Sequence, residues 1–190
     1  MENFSALSFR KMEVEDVFTF RNWGKHNSIL FLEYNFIEEG EENIIDWYNW
    51  KTKRPFSEYY VILLEEKIIG YLSLKNINIF LKRGELGIVL DPNYINKGIG
   101  KKILKIFLDY LKNRNFKKII LLVADYNKRA RKVYKSLGFT KKYKFLMRFT
   151  NGEYDENNLD FKNNSESFKI IFNKTFYYSV KMELDLERDW

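Results

Sequence analysis

Two periods of apolar residues alternate along the chain and divide it into elements. Residues 8–11 read as a short strand, and Glu13, Glu15 and Asp16 then crowd the first turn of a helix whose apolar face is Val14, Val17, Phe18 and Trp23. A second helix is predicted over 41–53, with Trp47 and Tyr48 three and four residues after Ile44 and the stripe widened by Ile45 and Trp50. Residues 59–64 and 68–74 are β-rich runs joined by Glu65-Glu66-Lys67, short enough for an antiparallel hairpin. The run 83–91, which holds GELGIVLD, is a further strand stopped by Pro92. A helix over 100–113 follows, with Ile103, Ile106, Phe107 and Tyr110/Leu111 as its buried stripe and lysines opposite. KIILLV at 118–123 is nearly continuous in apolar residues, the pattern of a strand covered on both faces.

A helix over 127–137 ends at Gly138, a left-handed C-terminal residue, with Phe139 as the hydrophobic anchor after it. Runs 140–149 and 176–186 are the last strands. Between them, 151–167 is acidic and Asn-rich and is expected to be a mobile loop or an added hairpin. The order predicts an α/β sheet with an antiparallel front half and one parallel crossover at its centre.

Composition narrows the class. A chain of 190 residues with 45% hydrophobic and 18% aromatic residues suits one domain, 1–190, with one well-buried core. The absence of cysteine and the single His26 remove disulfides, thiolate metal sites, thiol nucleophiles and His-pair metal sites, so no metal is expected. MENFSALSFRKMEVED has no charged-then-apolar leader pattern, and charged residues interrupt every apolar run; a cytoplasmic protein without membrane contact is the expectation.

The net charge of +7 is unevenly placed. Residues 97–148 carry 17 basic and 2 acidic side chains, whereas 1–96 and 149–190 are each net −4. This predicts one basic side facing a localised anionic ligand. A nucleic-acid surface is the rival reading; no aromatic stacking motif is interleaved with those lysines, so nucleic acid is not expected as a partner.

Chemistry concentrates where the strand 83–91 passes through 92–100 into the next helix. Free N–H groups of a helix's first turn, the helix dipole, and Gly98 and Gly100 together make an anion site, to which Lys97, Lys101 and Lys102 add charge. An ordinary loop with solvated lysines is the alternative. The GK[ST] ending of a nucleotide-binding P-loop is absent, and Ile103 stands where a dinucleotide fingerprint needs a third small residue.

GELGIVLDPNYINKGIGKKIL, followed by VADYNKRARKVYKSLGF, resembles the two central motifs of the GNAT superfamily of acetyl-CoA-dependent N-acetyltransferases, and the resemblance covers 83–139. RKMEVEDVFTFRNW looks like the opening of the branch that includes ribosomal-protein alanine, spermidine and amino-sugar-nucleotide acetyltransferases. The resemblance implies a GNAT-like mixed α/β fold. In it, a central seven-stranded sheet is flanked by about four helices and is antiparallel except between its fourth and fifth strands. It also implies acetyl-CoA as co-substrate and a small-molecule or peptide amine as acceptor, namely a polyamine, a peptide N-terminus or an amino sugar. A homodimer is compatible with it.

Carried over by position, Ile88, Val89 and Leu90 would offer backbone groups to the pantetheine arm. Ile95, Asn96, Lys97, Gly98, Ile99, Gly100 and Lys101 would wrap the pyrophosphate, with Ile95 departing from the family's usual Gln or Arg. Asn127 would hold the pantetheine or adenosine side, and a plain helix cap is its other reading. Tyr134 would protonate the leaving thiolate, or else be a core aromatic. Glu85 is the candidate base, or a solvated partner of Arg83 or Lys82. Glu33 and Tyr34, in a stretch of acids and aromatics, are candidates for binding a cationic acceptor, against a solvated loop. A catalytically silent acyl-CoA-binding regulator is the alternative function.

Overall fold

Eight strands and five α-helices, joined in places by 3-10 turns, are seen in the computed structural model, which describes residues 7–188 and 190. In chain order they are β1 Leu7–Lys11, α1 Val14–Thr19, α2 Glu41–Thr52, β2 Glu58–Leu64, β3 Lys67–Asn78, β4 Arg83–Leu90, α3 Ile99–Asn113, β5 Lys118–Ala124, α4 Lys128–Ser136, β6 Thr140–Arg148, α5 Leu159–Lys162, β7 Phe168–Ile171 and β8 Lys174–Asp185. All strands join one sheet in the order β1-β2-β3-β4-β5-β8-β6, and β7 pairs with the first residues of β8. One strand exceeds the expected seven. Phe172 and Asn173 both take positive φ, which makes the tight two-residue connection that a β7–β8 hairpin needs.

Among the described residues only β4 and β5 run parallel, and their pairing lasts three residues, Arg83–Glu85 against Lys118–Ile120. Beyond that β4 stays with β3 as far as Leu90, and β5 stays with β8 as far as Ala124. The two strands therefore part, leaving a wedge between two backbone edges. Asp91 N–H bonds across to Ile69 O at 2.9 Å on the β3 side. Since N–H groups alternate along a strand, those of Leu90 and Ile88 point into the wedge.

Two packed layers hold these edges apart. On one face Ile103, Leu104, Phe107, Leu108 and Leu111 of α3 pack with Ile62, Leu72, Leu74, Leu86, Ile119, Leu121 and Leu184. At about 2 kcal/mol for each fully buried large side chain, burial fixes α3 far more firmly than helix propensity would. On the other face Val17, Phe20 and Ile44 from α1, the 3-10 turn after it and α2 pack on Tyr59 and Val61.

Three expected core positions differ. The α3 stripe runs through 103, 104, 107, 108 and 111, so Ile106 falls off it and is 40% exposed. Trp50 lies at the edge of the α2 stripe, is 54% exposed, and is stacked by Lys51 and Arg54. Leu122 is 40% exposed because the wedge opens beside it, so β5 is not covered throughout on both faces.

The segment 151–167, expected to be loop or hairpin, carries α5 and a 3-10 turn over Ser165–Ser167. Phe161 is wholly buried there, in a cluster with Leu30, Ala124, Tyr126, Phe149 and Phe168. Asp160 accepts the Ile29 N–H at 3.2 Å and Asn151 donates to Ile29 O at 2.9 Å. The segment thus props the 3-10 turn Ile29–Tyr34 against the sheet.

Candidate active site

The loop between β4 and α3 is shaped by its backbone. Buried Asp91 accepts the N–H groups of Gly24 and Asn93, each at 2.9 Å, which ties the end of β4 to the α1–α2 connection and starts a 3-10 turn over Pro92–Tyr94. Asn96 (φ 63°) and Gly98 (φ 77°) are both left-handed, with Lys97 between them. Such alternation turns successive N–H groups toward one point. The amides that open α3 add to them, since Gly98 supplies no side-chain cap and the first intrahelical bond here is Lys102 N–H to Gly98 O at 3.2 Å.

A cleft of about 500 Å³ runs from this loop through the wedge to the opposite face of the sheet. Of the residues singled out in the sequence, Ile88, Val89, Leu90, Ile95, Asn96, Gly98, Gly100, Lys101, Asn127, Tyr134 and Tyr34 line it. Four do not. Lys97 turns outward over the Tyr94 ring, with Nζ 5.3 Å from its centroid. The Ile99 side chain is buried in the α3 core, leaving only its backbone to the loop. Glu33 lines a neighbouring groove of about 530 Å³ together with Glu38, Asp46 and Trp47. Glu85 is engaged by Lys75 at 3.3 Å and by the Asn76 amide at 3.0 Å.

At the α4 end, Asn127 Oδ1 accepts the Ala130 N–H at 3.1 Å and caps the helix, while its residue also borders the cleft. Tyr134 packs edge-on against Phe139 with ring centroids 5.8 Å apart, and burial pushes its hydroxyl up to about 12. It keeps its proton across the neutral range. Burial lifts the Tyr34 hydroxyl well above the usual tyrosine range, and it pushes Glu33 up against an opposing interaction with Tyr34. Burial, with Arg129 nearby, lowers His26.

Sequence reasoning missed several lining groups. Arg129 donates to Asn96 Oδ1 at 3.0 Å, linking the first turn of α4 to the left-handed loop beside Ile95. On the α2 face, Tyr59, Tyr71, Ser73, Lys75 and Lys51 line the cleft. Tyr71, Ser73 and Lys75 pair in register with Val89, Gly87 and Glu85, so these groups share one side of the sheet. A Cβ at Gly87 would lie 2.5 Å from Ser73 Oγ, so the glycine makes room for that hydroxyl. Lys51 Nζ sits 4.4 Å from the Trp50 ring and 5.3 Å from Trp47, and burial lowers it to about 8.

Comparison with known proteins places this geometry. The acetyltransferase (GNAT) family model matches residues 23–139, from the connection after α1 to the residue following Gly138. The chain belongs to the GNAT acetyltransferase family. Among curated relatives, it is 24% identical over 156 residues to the spermidine N(1)-acetyltransferase of Escherichia coli K12, covering 81% of this chain and 84% of that one. It is 26% identical over 155 residues to the Vibrio cholerae spermidine N(1)-acetyltransferase, covering 80% and 90%. A crystal structure of spermidine N-acetyltransferase from Vibrio cholerae in complex with CoA and spermine superimposes with a TM-score of 0.70 at 21% identity, over 97% and 98% of the two chains, and shows the shared fold.

As a GNAT enzyme the chain is an acyltransferase whose acetyl donor is acetyl-CoA. Its cleft suits that donor. The free edge of β4 matches an extended arm with amide groups, the loop gathers N–H groups for a pyrophosphate, and Lys101 and Arg129 border the same opening. The GNAT match stops at Phe139, so α5, the last three strands and the segment 151–167 lie outside it.

Proposed function

We propose that this GNAT acetyltransferase moves the acetyl group directly to a primary amine inside a ternary complex, the donor lying along β4 on the α3 and α4 side and the acceptor entering from the α2 side. The observation that carries this reading is the wedge between β4 and β5, through which one cleft connects the amide-rich loop with the aromatic α2 face. Acetyl-CoA supplies an activated acetyl thioester. The chain's own contribution is orientation, which suffices for large rate gains without a covalent enzyme intermediate.

An attacking alkylamine must be neutral, and free alkylammonium groups have pKa values of about 10. Glu85, the only acid on β4, lies on the acceptor side two residues from Gly87. With Lys75 and Asn76 on its two oxygens, it takes the proton through water. The Leu90 N–H, directed into the wedge, meets the oxygen on which negative charge develops. Tyr134, held protonated by burial, gives its proton to the departing thiolate. Asn96, Gly98, Gly100 and Lys101 hold the pyrophosphate, Lys97 and Ile99 contribute backbone groups, and Asn127 holds the arm. The curated relatives act on spermidine, which supports an amine acceptor for this chain as well. Self-association is part of the reading, supported by the exposed apolar β3–β4 turn at Ile79, Phe80 and Leu81 and by a Vibrio cholerae relative described as dodecameric.

Tyr134→Phe tests the assignment. Turnover falls about 10- to 100-fold while the KM for acetyl-CoA stays within about twofold, because only the acid is removed. Unchanged turnover would remove Tyr134 from the mechanism.

A further inference from the structure

The acceptor half of the cleft has a charge pattern at odds with a polycationic acceptor. Its charged lining groups on the α2 face are Lys51 and Lys75, and no described Asp or Glu lines the cleft at all. Glu33, which the sequence placed near the acceptor, lines the neighbouring groove with Glu38 and Asp46; Lys51 borders both openings, and Glu33 meets the cleft only through its interaction with Tyr34.

The two lysines differ in what they hold. Lys75 is engaged by Glu85 at 3.3 Å, which leaves that pair close to neutral. Lys51 has no carboxylate partner among the described residues and rests on the rings of Trp47 and Trp50. The charged groups that act on it, Lys75 and Arg54, are both cations, and together with burial they lower its pKa. A desolvated ammonium beside other cations is relieved by an anionic partner and made worse by a further cation.

Building on the acetyl-transfer reading above, we infer that the acceptor is an amine that also carries an anionic oxygen group, a carboxylate or a phosphate, which Lys51 receives beside Lys75 on the α2 face. The amine end then points through the wedge toward Leu90 and Tyr134. The tyrosine hydroxyls of Tyr59 and Tyr71 and the Ser73 hydroxyl, all lining the same half, are neutral donors for the same group.

The test uses matched amines that differ by the anionic group: 4-aminobutyrate against butylamine, and glucosamine 6-phosphate against glucosamine, with spermidine as the polycation. CoA release is measured for each, and calorimetry follows binding of the same amines to the chain saturated with CoA. The carboxylate or phosphate member of a pair is expected to exceed its neutral partner about tenfold or more in kcat/KM and in affinity, the size of one charge-assisted contact. Whichever pair shows the difference distinguishes carboxylate from phosphate. Lys51→Met, which keeps the stem against the tryptophans, collapses the ratio. Lys51→Arg retains it, and the KM for acetyl-CoA moves less than about twofold in either. A preference for spermidine or the neutral amines, or a ratio that survives Lys51→Met, overturns the inference. Lys51-dependent binding of the anionic member without CoA release from any amine would sink the transfer reading and leave this one standing. Equal binding across both pairs would sink this one alone.

Discussion

Gly98 shows what a single residue contributes to the donor site. A Cβ there would meet nothing within 4 Å, so space is not the constraint; φ of 77° is. An L residue in that region costs about 1–2 kcal/mol, and a β-branched one is worse placed still. Gly98→Val is therefore expected to raise the KM for acetyl-CoA about tenfold, as the amides turn away, and to lower Tm by a few degrees. An unchanged KM would mean that the loop does not bind the donor through its backbone. Gly100 differs, since its Cβ would stand 3.4 Å from Leu90 Cδ1 and needs no left-handed backbone. Residues of this kind were legible in the sequence because glycine, a capping asparagine or a tyrosine at helical spacing carries its own local signal. Lys51 and Arg129 were not. Their roles arise where α2 meets β3 and where α4 meets the β4–α3 loop, and no spacing along the chain encodes those meetings.

Among the elements, the helices and strands of 83–139 follow their predicted bounds within a residue or two, since their periodicity is strong and the packing agrees with it. The weakest reading was 151–173. Its acids and asparagines masked two features that matter, the buried Phe161 and the Phe172-Asn173 turn, whose Phe is 94% exposed and gives no usual turn signal. Because α5 supports the 3-10 turn that carries Phe31 and Tyr34 into the cleft, Phe161→Ala has two consequences. It removes a fully buried ring at a cost of about 3–5 kcal/mol. It also lowers kcat/KM for the acceptor several-fold more than for acetyl-CoA at temperatures where the variant stays folded, because the donor loop is tied to Asp91 and α3 instead. Equal losses for both substrates would show that α5 supports the sheet generally rather than the acceptor side.

At the scale of the molecule, the basic segment 97–148 is less of a single charged face than its composition suggested. Arg114, Lys117, Lys128, Lys142 and Arg148 reach Glu58, Glu187, Glu166, Glu183 and Glu153, so acids from both flanking segments fold back onto it. Exposed pairs of this kind add about 0–1 kcal/mol each and chiefly spread the charge. What remains beside the cleft is Lys101 and Arg129 at the donor end and Lys51 with Lys75 at the acceptor end. The parallel β4–β5 crossover was legible from element order. Its early parting was not, because Leu86–Leu90 and Leu121–Ala124 read as ordinary apolar strand with no mark of a missing partner. Direct transfer through that opening is the central claim, and initial-rate kinetics of CoA release, with acetyl-CoA and the most active amine varied together, test it most directly. The account predicts double-reciprocal lines that intersect, with one N-acetylated amine formed per CoA released. Parallel lines with an acetylated form of the chain preceding product would contradict it.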